Sequence, residues 1–128
     1  MDVINPATEE VWAQVPEGNQ DDIDRAVKAA RDAFDHGPWR KMSTSERAEI
    51  LRRMGDLVKE HAEHLAALET KENGKPFRDT KRDVGAHHHW WYYYAGLADK
   101  IQGETIPFEY NKHIFTMREP LGVVGAIT

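Results

Sequence analysis

The sequence contains no cysteine. That excludes disulfides, thiolate zinc sites and a cysteine nucleophile within these residues. It also suits a reducing compartment, and a cytoplasmic location is the expectation. An excess of basic residues is missing too. Lys and Arg number 17 against 22 Asp and Glu, a net charge of −5, which argues against nucleic acid and against an anionic membrane surface as partners. No apolar run approaches the roughly 18 residues of a spanning helix. No basic segment followed by an apolar one opens the chain, so a signal peptide is not expected. Internal repeats, low-complexity tracts and flexible linkers are also lacking. What is present is a 128-residue chain, 40% apolar and 30% charged, long enough for one domain with a core.

Residues Asn5-Pro6-Ala7-Thr8-Glu9-Glu10 carry turn chemistry. Val11, Ala13 and Val15 then alternate with Trp12 and Gln14, a half-exposed strand that Pro16-Glu17-Gly18-Asn19 ends. A helix opens at Asn19 or Gln20, with Asp21 and Asp22 at the positive end of its dipole. Its stripe is Ile23, Ala26, Val27, Ala30 and Phe34, and His36-Gly37-Pro38 closes it. Ser43 and Glu46 form a capping box for the next helix. That apolar face runs on to Leu68, long enough to break near Glu60, and Asn73-Gly74-Lys75-Pro76 stops it. A third helix is predicted over Asp79 to Lys100. Its run Trp90-Trp91-Tyr92-Tyr93-Tyr94 predicts burial on more than one side. Gly103 to Pro107 reads as a turn, His113 to Arg118 as an exposed strand, and Leu121 to Thr128 as a buried strand of a parallel sheet. A strand, a helical block and two further strands make an incomplete α/β layer set.

Few side chains form a chemical constellation. Adjacent helical residues point about 100° apart, so His87, His88 and His89 cannot converge on one ion. His61 and His64 share a face but have no evident third ligand. The Trp and Tyr run suits core packing better than base stacking, which needs a basic groove. Gly122-Val123-Val124-Gly125 lacks the third glycine of a dinucleotide fingerprint. Ser43 is explained as a cap, and no Ser/His/Asp nucleophile arrangement is visible.

Several segments, taken in order, resemble the N-terminal part of the aldehyde dehydrogenase superfamily, in its NAD(P)-dependent non-phosphorylating branch. They include Ile4-Asn5-Pro6-Ala7-Thr8, Val15-Pro16-Glu17-Gly18, Asn73-Gly74-Lys75-Pro76, Tyr93-Tyr94-Ala95-Gly96-Leu97-Ala98-Asp99-Lys100, Gly103-Glu104-Thr105-Ile106-Pro107 and Arg118-Glu119-Pro120-Leu121-Gly122-Val123-Val124-Gly125. The resemblance implies an α/β fold. Residues 1–110 would form the helical part of the cofactor-binding domain, 111–120 an oligomerisation strand, and 121–128 a truncated first strand of the Rossmann-like cofactor sheet. The family oxidises aldehydes to carboxylic acids with NAD or NADP. It uses a nucleophilic cysteine and a general-base glutamate that lie further along the chain, so no catalytic residue is expected here and residues 1–128 alone should be inert.

What the resemblance carries over is peripheral. Ile127 and Thr128 match a strand end whose backbone abuts the cofactor. Val3 and Ile4, through their carbonyls, and Glu72, through its carboxylate, match a structural monovalent-cation site. Many relatives have Asp at the last position, and the plain alternative for Glu72 is a helix-end carboxylate in water. The strand around Asn111 to Glu119 implies a homo-oligomer, and the helix from Asp79 implies one wall of a substrate tunnel for a small-molecule aldehyde. The competing expectation is a short non-enzymatic interaction module or a decayed gene product.

Overall fold

The computed structural model describes residues 1–127. It opens with a hairpin of two antiparallel strands, β1 (Asp2–Ile4) and β2 (Val11–Gln14), pairing Val3 with Ala13 across an irregular register. Asn5 closes the connecting turn: its side-chain oxygen accepts from the Ala7 amide at 2.9 Å, and its carbonyl accepts from the Glu9 amide at 2.8 Å. β1 was not legible in the sequence, because three residues show no alternation. The face of β2 also differs from expectation. Val11 and Val15 are exposed while Trp12 and Ala13 are half-buried, since Trp12 lies beside Lys71, whose ammonium stands 5.5 Å from the indole.

Helix α1 (Gln20–His36) starts where expected, at an Asn19 cap. The Asn19 side chain accepts from the Asp22 amide at 3.1 Å, and Asp22 accepts from the Asn19 amide at 3.0 Å. Two otherwise orphaned donors are thereby satisfied. A short 3-10 turn at Pro38–Lys41 leads to α2 (Thr44–Glu60), capped by Ser43 and Glu46 in the same reciprocal way. The predicted break falls at His61, with φ −100° and ψ 12°, and separates α2 from α3 (Ala62–Asn73). Helix α4 (Phe77–Leu97) begins two residues earlier and ends three earlier than predicted. Pro76 fits ahead of its first turn because that position needs no amide donor. Its carbonyl accepts from the amides of Asp79 and Thr80.

The core lies between α4 and the pair α2 and α3, and it is built from small residues: Ala66, Thr80, Val84 and Ala95 are buried. The closest approach is at Gly55 of α2. A β-carbon there would stand 2.6 Å from a ring carbon of Tyr92 and 3.2 Å from the β-carbon of Trp91. The Tyr92 hydroxyl donates to Asp56 at 2.7 Å. Further along, the Thr80 hydroxyl donates to the Phe77 carbonyl at 3.0 Å, so Thr70 must be the donor in the 2.7 Å hydroxyl pair that joins α3 to α4. Lys75 pairs with Asp83, tying the α3–α4 connection to the second turn of α4. The expected burial of α4 on several sides is not found. Trp90, Tyr93 and Tyr94 are each more than half exposed, because a single layer, α2 with α3, covers one side only.

The expected turn at Gly103–Pro107 contains a short strand, β3 (Thr105–Ile106), paired antiparallel with β4 (Ile114–Phe115). Four ladder residues leave too little alternation to read. The expected strand over Leu121 to Thr128 is not formed among the described residues, and Thr128 itself lies outside them. Leu121 is 96% and Ile127 103% exposed. A two-faced apolar strand needs neighbours on both edges and layers on both faces, and the described residues supply neither.

The crossing at Gly55 gives a paired expectation. Gly55→Val forces the Tyr92 ring and the Trp91 stem outward and lowers stability by about 1–3 kcal/mol, read by urea unfolding. Gly85 in α4 has open space within 4 Å of where a β-carbon would stand, so Gly85→Ala raises stability by about 0.5–1 kcal/mol through helix propensity. Equal signs for the two substitutions count against this account of the interface.

A pH dependence follows from the polar contacts. The Ser43 amide and hydroxyl hold the Glu46 carboxyl below its usual range, and Lys75 followed by Arg82 do the same for Asp83. Each adds stability above the ordinary carboxylate range that is lost as pH falls through the depressed value. The Asp83 hydrogen bond raises Lys75, and the Asp56 hydrogen bond raises Tyr92. Both contributions are present below the ordinary values and vanish as pH rises through the raised ones. Thermal melting should be flat between these limits. Glu46→Gln with Asp83→Asn should shrink the acid-side loss of the melting temperature, and an unchanged acid limb would refute the assignment.

Candidate functional site

Three places collect the residues singled out by the sequence. The first is where the hairpin meets the end of α3. Gly74 caps α3 in a left-handed conformation with φ 76°, and the Pro6 ring occupies the space where its β-carbon would be, 2.7 Å away. Lys71 reaches Trp12 in the same region. Val3 is half-buried in β1, while Ile4 and, on the last turn of α3, Glu72 are exposed. The turn after β1 and the end of α3 are thus neighbours. No cluster of three His, Asp, Glu or Cys side chains capable of holding a metal occurs among the described residues.

The second place is the segment Leu121–Ile127. Within the described residues none of its backbone groups joins a ladder. At Gly122 it lies against α1. A β-carbon on Gly122 would stand 3.0 Å from Nη2 of Arg31 and 4.0 Å from the Phe34 ring. Ile127 is fully exposed. The expected contact at Thr128 lies outside the described residues.

For the third place the resemblance implied only that α4 lines one wall of a tunnel, with no residues named. An open groove of about 800 Å³ runs between α2, α3 and α4, lined by Leu51, Val58, Leu65, Leu68, Val84, His87, Trp90, Trp91 and Tyr94, with Glu69 and Glu72 at its polar end. The helical stripe ending at Leu68 gave one wall in the sequence. Which residues of α4 line the other wall was not readable, because the aromatic run offers apolar groups on every side of that helix. Three buried polar atoms have no hydrogen-bond partner among the described residues: Nε1 of Trp12, Nε of Arg47 and Nδ1 of His88. Such atoms are rare in a finished interior. Arg47 lies with its guanidinium 5.7 Å from the Trp39 ring, and the His88 ring stands 5.6 Å from Tyr92, edge to face.

Nothing in these places makes a nucleophile–base pair. The histidines of α4 are packed side by side, with the His88 and His89 rings 4.0 Å apart, and Ser43 is committed to its cap. What these places offer is structural and peripheral: a hairpin held to a helix end, an exposed apolar segment, and an apolar groove.

The model of the aldehyde dehydrogenase family matches residues 1–128. Aldehyde dehydrogenase family 2 member B4, a mitochondrial protein of Arabidopsis thaliana, is 51% identical over 125 residues, which is 97% of this chain and 23% of that protein. Among solved structures, a mutant aldehyde dehydrogenase from Bacillus cereus superposes with a TM-score of 0.88 at 46% identity, covering 94% of this chain and 25% of that one. Betaine aldehyde dehydrogenase from Staphylococcus aureus, in complex with NAD+, gives 0.80 at 40% identity, covering 87% and 22%. The chain thus spans about a quarter of the length of the relatives it matches. Sequence and fold agree over nearly the whole of these residues: the chain belongs to the aldehyde dehydrogenase family.

Proposed function

We propose that these residues serve as the N-terminal portion of an enzyme that oxidises an aldehyde to a carboxylic acid with NAD or NADP. The observation that carries the reading is the end-to-end match of residues 1–128 to the family. In the net reaction the aldehyde and water yield the acid, and the aldehydic hydride passes to the dinucleotide, which is the chemistry that group supplies. This segment holds no cysteine, so its part is to build and not to react. The helical block gives one layer of the cofactor domain. Leu121 to Thr128 gives the first strand of its sheet, with the backbone at Ile127 and Thr128 at one edge of the dinucleotide. Residues 111–120 give a strand for joining subunits in a homo-oligomer, supported by the open edges of the two-stranded β3–β4 sheet. The absence of cysteine suits the cytoplasm.

The cation site is part of the same proposal. Carbonyls of Val3 and Ile4 with the Glu72 carboxylate make a hard-oxygen set suited to sodium or potassium. The contacts of Pro6 with Gly74 and of Trp12 with Lys71 support it, because they hold the hairpin to the end of α3.

The direct test is intact-mass measurement of the native protein, followed by assay. The protein should be several times longer than 128 residues and should form reduced dinucleotide when given an aldehyde. Residues 1–128 alone should show no such activity and bind NAD no tighter than about 1 mM, roughly −4 kcal/mol. A native product of 128 residues that folds alone as a monomer would instead favour the interaction module. For the cation, replacing choline with sodium or potassium at equal ionic strength should raise the melting temperature, by up to about 2.7 kcal/mol of stability when the ion is at 100 times its dissociation constant. Glu72→Gln should abolish that response. A full response in the variant removes Glu72 from the site.

A further inference from the structure

The hairpin and the end of α3 are joined at two points that bracket the proposed cation ligands. On α3 these points are Lys71, just before Glu72, and Gly74, just after Asn73. The Lys71 ammonium stands 5.5 Å from the centre of the Trp12 ring, within the range of a cation–π contact. The Pro6 ring lies 2.7 Å from where a Gly74 β-carbon would be. On the hairpin the points are Pro6, which follows Ile4 and Asn5, and Trp12, which lies across the ladder from the Val3–Ile4 peptide. Val3 pairs with Ala13 and Ile4 pairs with Val11, so Trp12 is the extra residue of a β-bulge. The bulge breaks the alternation of β2: Trp12 and Ala13 are both half-buried, while Val11 is exposed.

A regular strand is a poor cation ligand. Its successive carbonyls point to opposite edges, so those of Val3 and Ile4 could not both face one ion. A bulge disrupts the ladder, bends the chain and adds twist, and this one falls across the Val3–Ile4 peptide. We propose that the Trp12 bulge, seated on Lys71, is the device that turns the Val3 and Ile4 carbonyls onto one monovalent cation beside Glu72. The inference rests on the cation site of the proposed function. Trp12 and Lys71 are positioning residues, since neither side chain has an oxygen to offer the ion. The sign of one substitution separates positioning from charge. Lys71 carries a positive charge next in sequence to a proposed cation ligand. If that charge were its main effect, removing it would tighten cation binding, because like charges repel. Lys71 is exposed, so water and salt screen the repulsion, whereas its contact with the Trp12 ring is direct. Positioning therefore outweighs charge, and removing Lys71 loosens the site.

The experiment uses the full-length enzyme that carries this segment, with Lys71→Met, Lys71→Arg, Trp12→Leu and Trp12→Phe. The melting temperature is followed as sodium or potassium replaces choline at constant ionic strength. The concentration at which it begins to climb marks the dissociation constant of the ion. Lys71→Met and Trp12→Leu should raise that concentration about tenfold or more, the usual cost of losing a group that orients a ligand. Lys71→Arg and Trp12→Phe should stay within about threefold of the wild type, because each keeps a cation seated on an aromatic ring. In choline alone Lys71→Met should melt as the wild type does, since exposed side chains contribute little to stability. A lower melting temperature in choline with the onset concentration unchanged marks a merely structural contact and overturns the inference. Tighter cation binding in Lys71→Met makes charge the larger effect and overturns it too, as do conservative variants no better than the others. Where Trp12→Leu fails to fold, the two Lys71 variants and Trp12→Phe decide the matter. A wild-type enzyme whose melting temperature ignores both cations refutes the cation site itself and takes the inference with it, while the dehydrogenase reading stands.

Discussion

The structure depends on one steric fact, that α2 and α4 meet where one of them has no side chain. With Gly55 facing the Tyr92 ring, the helices come close enough for the Tyr92 hydroxyl to reach Asp56. The hydrogen bond and the ring contact then act together, one directional and one not, and they fix the register as well as the distance. The rest of the block follows from that closeness. Ala95 is buried further along α4, and Thr80 reaches the hydroxyl of Thr70. A core of small residues gains little from apolar area at any single side chain. It gains from the many dispersion contacts that close backbones allow.

The same economy leaves much of the apolar surface uncovered. α1 has an amphipathic stripe but no buried residue. The groove beside α4 is open, the aromatic side chains at 90, 93 and 94 face outward, and the segment from Leu121 to Ile127 has no ladder. Large exposed apolar patches are uncommon on self-sufficient soluble chains. They agree with a chain that spans about a quarter of its relatives' length. The three unpartnered buried polar atoms at Trp12, Arg47 and His88 agree as well, since partners for them are absent among the described residues.

Much of this was legible in the sequence where the signal is local. Asn19 with Asp22, and Ser43 with Glu46, announced two helix starts because a capping pair needs only four residues. Asn73-Gly74-Lys75-Pro76 announced a stop for the same reason. The segments that failed are those whose state depends on distant partners. β1 and β3 are too short to show alternation, and each exists through its pairing with a strand several residues away. Trp12 turned inward because Lys71 lies there, far downstream in a fold no local pattern describes. The final apolar run reads as a strand by composition, but a strand is a relation between chains of backbone, and composition supplies only one party. The backbone contacts proposed for Val3, Ile4 and Ile127 were suggested only through resemblance, since backbone atoms leave no mark in residue type. The groove's lining became clear only when walls from separate helices were brought together.

The bend at His61 has a consequence for how such a block tolerates change in length. Helices of 17 and 12 residues laid end to end would reach about 44 Å, whereas the 21 residues of α4 reach about 31 Å. The bend folds the excess back, so that α2 lies along the second half of α4 and α3 crosses its first turns, where Lys81 meets Glu63 and Thr80 meets Thr70. One continuous stretch of chain therefore grips α4 at both ends, like a hook and not a splint. A single residue inserted at the bend would turn all of α3 by about 100°, carrying Thr70 off Thr80 and Lys71 off Trp12 in one motion. The bend should admit substitution freely and refuse insertion altogether.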